Sequence, residues 1–172
     1  MPQPLPRFRD NPVEARVTIQ RPVTEVFGFY RDFENLPRFL GDVVAVERVG
    51  PAAFRWTVVG PGGIRLRSTV RLTEERTDEL IRYETATAVP GMATCWTVRF
   101  AAGPGPGQTE VHEVLQTPLG RLGQAVLALV GKPPAEEVAA NLRRLKQVLE
   151  TGTVTDTDHA VAGKFDGRAT GR

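Results

Sequence analysis

Residues 54–72 read FRWTVVGPGGIRLRSTVRL, and the architecture follows from this run. Phe54, Trp56 and Val58 alternate with Arg55 and Thr57; after a break, Ile64, Leu66, Ser68, Val70 and Leu72 alternate with Arg65, Arg67, Thr69 and Arg71. A period of 2 places one set on the covered face of a strand and the other on the opposite face. The intervening Gly60-Pro61-Gly62-Gly63 is turn chemistry, so the two strands are antiparallel neighbours. No helix opening on Lys-Ser/Thr follows this turn, which makes it a hairpin and not a phosphate loop.

The same periodicity extends in both directions. Strands are predicted at about 42–49, 53–59, 64–74, 79–87, 92–101 and 108–117, separated by Gly-, Pro- and Asp-bearing turns. Upstream, Val13, Ala15, Val17 and Ile19 alternate in a first strand over 13–20. Pro22 then suits the first turn of a short helix with Val23, Val26, Phe27 and Tyr30 on one face. Asp32 can cap a second short helix carrying Leu36, Phe39 and Leu40, despite Pro37 near its start. Downstream, Thr117 and Pro118 open a helix with a Leu119, Leu122, Val126 and Leu129/Val130 stripe, interrupted by Gly131-Lys132-Pro133-Pro134. A second helical segment from Ala135 to Glu150 carries Val138, Leu142, Leu145 and Leu149 and ends at Gly152, a left-handed C-cap.

Composition bounds the class. The 172 residues are 41% hydrophobic and 24% charged, so the chain can bury one core and is neither fibrous nor wholly disordered. Net charge is +2 and spread along the chain, and no nucleic-acid partner is expected. A single cysteine, Cys95, and two distant histidines offer neither a disulfide nor metal-ligand spacing; no metal and no cofactor is expected. No apolar run reaches the ~20 residues of a transmembrane segment. The N-terminal MPQPLPRFRDNP lacks the apolar stretch of a secretory signal, and a cytoplasmic location is expected. Residues 1–12 are Pro-rich and residues 153–172 hold no Leu or Ile, and both read as flexible tails flanking one domain over 13–152.

The order of elements, together with Ile19-Gln20-Arg21-Pro22-Val23-Thr24-Glu25-Val26-Phe27 and Asp32-Phe33-Glu34-Asn35-Leu36-Pro37-Arg38-Phe39, resembles the START/SRPBCC superfamily, in particular bacterial polyketide cyclase/dehydrase-like proteins. The final Asn141–Glu150 helix is similar to the same group. The resemblance implies an α+β helix-grip fold: a seven-stranded antiparallel sheet curved around a long, broken C-terminal helix. It also implies a hydrophobic small molecule, of lipid, polyketide or quinone type, held between sheet and helix. The Asp-x-x-x-Leu-Pro-x-Phe run is a fold marker in that family and carries no chemistry.

Strand parity turns Trp56, Leu66, Ser68, Tyr83, Trp96 and Val98 toward the helix, and with Leu122 and Val126 they are the candidate ligand wall. Trp56, Trp96 and Tyr83 suit such a wall because each couples a large ring to a polar tip. Glu113 is the singular position. In Val111-His112-Glu113-Val114-Leu115 a regular strand points it inward, as a ligand-contacting acid or a general acid/base; a bulge would turn it to solvent. Arg55, Arg65, Arg67, Arg71, Arg82 and Arg99 form an outward row, read as a solvated face interleaved with Glu84 and Glu110. Cys95 and His112 share that outward parity and His159 falls in the tail, so none is a candidate catalyst. Gly120 and Gly123 weaken the first half of the last helix, as a movable gate or for close packing, and that half leaves room for pairing with a second copy. Three functions follow: a carrier or sensor of a hydrophobic molecule, a cyclase/dehydratase using Tyr83, Ser68 or Glu113 as proton shuttles, or an interaction protein acting at a ribosome or membrane.

Overall fold

Seven alternating segments become seven strands in the computed structural model, which describes residues 12–86, 93–117 and 133–166. They are β1 (Val13–Ile19), β2 (Val43–Gly50), β3 (Ala53–Val59), β4 (Arg65–Arg76), β5 (Leu80–Ala86), β6 (Thr94–Ala102) and β7 (Thr109–Gln116). Every neighbour is antiparallel, in the order β1-β7-β6-β5-β4-β3-β2. Successive hairpins therefore lay down six strands side by side, and β1 joins the far edge against β7.

The helices lie on one face of this sheet. Helix α1 (Val23–Arg31) buries Val26, Phe27 and Tyr30, the positions its i, i+3, i+4 pattern marks. The second short helix is a 3-10 segment, Phe33–Arg38, rather than an α-helix: Pro37 inside it has no N–H to donate, and the Asp32 side chain caps Glu34 N. Leu36 and Phe39 of the fold-marker run are fully buried. Helix α2 (Pro134–Thr151) packs Val138 against Val13 and Leu115, and places Leu142 and Leu145 in the main core. Its end is the expected one: Gly152 takes φ 76° and donates to Val148 O at 3.0 Å. The Leu119–Val130 stripe, with Leu122, Val126, Gly120 and Gly123, lies outside the described residues. Among the described residues no helix is long and apolar enough to cross a membrane.

The expectation of a loose tail from 153 is corrected over 153–166. Arg144 on α2 is wholly buried and spreads its guanidinium over main-chain oxygens: Nε donates to Phe39 O (2.7 Å) and Nη1 to Asp158 O (2.6 Å), while Nη2 reaches Asn141 Oδ1 (2.6 Å). Val161 N bonds Gly41 O at 3.0 Å, and the Lys164 ammonium donates to Leu40 O and Val43 O. Hydrogen bonds to a charged donor anchor this segment where apolar burial could not. His159, assigned to the loose tail, lies 3.1 Å from Glu136.

This strap needs glycine at 41. A Cβ there would stand 2.5 Å from His159 O and 2.8 Å from Arg144 Nη2. Gly41→Ala is expected to destabilise the protein by about 1–3 kcal/mol through overpacking and to expose 153–166 to protease. Thermal melts with limited proteolysis check this; an unshifted melt with a protected strap would refute it.

Candidate functional site

The site is assembled from three elements distant in sequence. Tyr30 projects from the buried stripe of α1, Tyr83 from β5 and Glu113 from β7. Strand β7 pairs β1 and β6 without a register shift, so Val111, Glu113 and Leu115 are buried together and Glu113 is 1% exposed. Of the two orientations open to it in the sequence, the inward one is found.

The Tyr30 hydroxyl donates a short hydrogen bond to Glu113 Oε1. Its oxygen lies 3.3 Å from the Tyr83 hydroxyl. Tyr30 has one hydroxyl hydrogen, and Glu113 takes it, so Tyr83 donates to Tyr30. A directed chain runs from Tyr83 through Tyr30 to Glu113. Burial, followed by the neighbouring Glu113 carboxylate, raises both tyrosine hydroxyls well above their ordinary value and keeps them protonated. Burial also pushes the Glu113 carboxyl up to about 7, with the Tyr30 bond pulling the other way.

Around this chain the wall is aromatic. Tyr83 lies parallel to Trp96 (6.1 Å between ring centroids, 9° between planes), and is 5.7 Å from Trp56 and 5.3 Å from Phe33. Trp96 Nε1 is satisfied by Thr94 Oγ1 at 3.1 Å. Two buried side-chain atoms are not satisfied among the described residues: Trp56 Nε1 and Glu113 Oε2.

Six of the candidate residues thus share the helix-facing side of the sheet: Trp56, Ser68, Tyr83, Trp96, Val98 and Glu113. Ser68 stands opposite Trp56 across the β3–β4 pair. Leu66 keeps the same parity but is 56% exposed, because it lies at the hairpin end beyond the packed centre of the sheet. Leu122 and Val126 fall outside the described residues. Tyr30 is the residue the sequence reading missed; it stood in the apolar stripe, and the available signal was that a buried tyrosine hydroxyl requires a partner.

On the outer face Glu84 stands opposite Arg71 across β4 and β5, within the arginine row. Arg82 pairs with Glu74 at 2.8 Å and Arg55 with Glu47 at 3.7 Å, and Glu110 pairs with Arg16 at 3.3 Å. The register shift between Leu72 and Glu74 sets Glu74 opposite Arg82, which alternation alone does not predict. Cys95 is buried rather than solvated, and burial raises its thiol, away from a reactive thiolate. His112 lies 2.9 Å from Glu14.

The architecture is the α+β helix-grip fold, and solved structures share it. A crystal structure from Deinococcus radiodurans superposes with a TM-score of 0.63 at 24% identity, covering 83% of this chain and 99% of that one. A solution structure from Arthrobacter aurescens gives 0.63 at 12% identity, with 94% and 93% covered. DynU16, from the dynemicin biosynthetic locus, gives 0.60 at 21% identity over 84% of this chain and 49% of its own. The sequence itself matches the family described as "Polyketide cyclase / dehydrase and lipid transport" over residues 12–150, and the chain belongs to that family. No match is found among curated proteins.

Proposed function

We propose that the helix-facing side of the sheet holds a mostly apolar small molecule of lipid, polyketide or quinone type, and that the protein is its carrier or sensor. The observation that carries this reading is the pair of unsatisfied buried atoms, Trp56 Nε1 and Glu113 Oε2, in an otherwise aromatic and aliphatic surround. Buried polar atoms are nearly always bonded, so two orphans mark where a ligand's polar end would be received. Below pH 7 the protonated Glu113 and the Trp56 indole are both donors, which selects an oxygen-bearing end group. The family description, which includes lipid transport, supports the same class of ligand.

A second reading rests on one specific observation: a carboxyl pushed to about 7 and wired to two tyrosines is poised for proton transfer, as a cyclase or dehydratase acting on a polyketide-like chain requires. Native mass spectrometry of the protein purified from its own host separates the two. A stoichiometric apolar adduct, retained but weakened several-fold in Glu113→Gln and Tyr83→Phe, is the expected result. Turnover abolished in both variants with unchanged binding would instead establish the enzyme. No adduct, and no change of tryptophan fluorescence with fatty acids, polyketide aglycones or quinones, would reject a ligand-holding site.

A further inference from the structure

The β3–β4 hairpin end carries features that neither the core nor the buried site uses. Among the described residues three large hydrophobic side chains are exposed, Val49, Ile64 and Leu66. Val49 lies beside the β2–β3 turn, at the opposite end of β3, whereas Ile64 (63% exposed) and Leu66 (56%) sit together just past the β3–β4 turn. Arg65 and Arg67 alternate with them and, among the described residues, form no ion pair, unlike Arg55 and Arg82 on the same sheet face. Residues 54–72 hold four arginines and no carboxylate, against a net charge of +2 for the whole chain. The hairpin therefore gathers positive charge that the rest of the molecule more than offsets. Its turn, Gly60-Pro61-Gly62-Gly63, has no ionisable side chain. Beside it, on the outer face, an open groove of about 450 Å³ is lined by Val44, Ala45, Thr57, Arg65 and Arg67.

We propose that this hairpin end is a membrane-contact edge that seats on anionic phospholipid, with Ile64 and Leu66 entering the interfacial layer while Arg65 and Arg67 engage headgroup phosphates from the groove. The pattern fits an amphipathic boundary: exposed aliphatic side chains gain by leaving water, the turn brings no charge that must be desolvated, and long arginine stems let the guanidinium stay among phosphates. A nucleic acid would use the arginines but leave Ile64 and Leu66 in water. A second copy of this hairpin would set unpaired arginines against one another. Two apolar side chains and two arginines are each weak anchors, and together they give reversible, salt-sensitive binding. This edge is independent of which molecule occupies the buried site.

The test is vesicle flotation of the full chain with phosphatidylcholine alone and with equal parts phosphatidylcholine and phosphatidylglycerol, at low and high salt. Binding is expected only to the anionic vesicles and only at low salt. Ile64→Ser/Leu66→Ser should weaken it with the salt dependence retained. Arg65→Glu/Arg67→Glu should lower the partition coefficient by about 25-fold or more, at about fivefold per arginine. Circular dichroism verifies that these surface variants fold. Absence of binding to anionic vesicles, equal binding to neutral ones, or a serine variant that binds like the parent would overturn the proposal. So would a solution dimer that only the serine variant dissociates, or RNA binding lost with the arginines while vesicle binding persists.

Discussion

Arg144→Ala is expected to lower the melting temperature by about 6–12 °C, corresponding to about 3 kcal/mol for a domain of this size. The guanidinium is wholly buried, and its three short bonds satisfy the carbonyls of Phe39 and Asp158 and the Asn141 side chain. Alanine leaves the buried Phe39 carbonyl without its Arg144 donor, which is the costly half of losing a hydrogen bond, while Asn141 Oδ1 keeps the Gly41 N–H at 3.0 Å. The loss should be local as well as global. Hydrogen exchange over 153–166 should accelerate, because Arg144 is the buried link between this strap, α2 and the Phe39 main chain, beside the exposed Arg143 and Gln147 bonds to Thr155, Asp156 and Asp158. Arg144→Lys keeps the charge but not the planar fork, and should fall between alanine and the parent. A melting temperature within 2 °C of the parent, with unchanged exchange, would show that the fork does not hold the strap.

The second large effect is one of pH. Glu113 folds with its carboxyl raised from 4.5 to about 7, so the native state keeps a proton that the unfolded chain releases between those values. The stabilisation from the neutral carboxyl is fully present below pH 4.5 and is lost as pH rises through about 7, a total on the order of 3 kcal/mol. Glu113→Gln removes the titration while leaving an acceptor for Tyr30. The variant is therefore expected to show no fall over that window and to be the more stable protein at pH 8. Denaturant titrations at several pH values measure it directly. An identical pH slope in parent and variant would mean that Glu113 does not carry the buried proton. A stabilising substitution at the centre of the candidate site would also be the expected signature of a group retained for function at the expense of stability.

These two residues also show what local pattern could and could not reveal. Strand parity placed Trp56, Tyr83, Trp96 and Val98 correctly because β3, β5 and β6 pair with one another or with β4 through regular stretches around those positions. Glu113 depended on whether β7 was regular, a property settled by its partners β1 and β6 and not by its own residues. The Tyr30–Glu113 bond joins positions 83 residues apart, and no periodicity links a helix stripe to a strand face at that range. The segment 153–166 was misread for a different reason. Composition weighs apolar surface, whereas this segment is held by polar bonds: Asp158 O to Arg144, the Asp156 and Asp158 carboxylates to Arg143, Thr155 and Asp156 to Gln147, and Lys164 to Leu40 O and Val43 O. Arg82 meets Glu74 because a bulge follows Leu72, and single bulges leave little trace in an alternating sequence.

The strand order sets a schedule for the nascent chain. Strands β3 to β7 each meet a partner made just before them, but β1 must wait for β7: Val13 pairs with Leu115 and Ile19 with Thr109. At about 5–20 residues per second, β1 spends roughly 5–20 s on or near the ribosome with its edge unpaired. Val13, Ala15, Val17 and Ile19 are then an open template, and Glu14 and Arg16 between them are the charges that discourage a wrong partner from adding to it. Only when β7 is complete does β1 gain a strand partner, and only when α2 has emerged can Val138 pack against Val13. The first strand synthesised is thus the last to be secured.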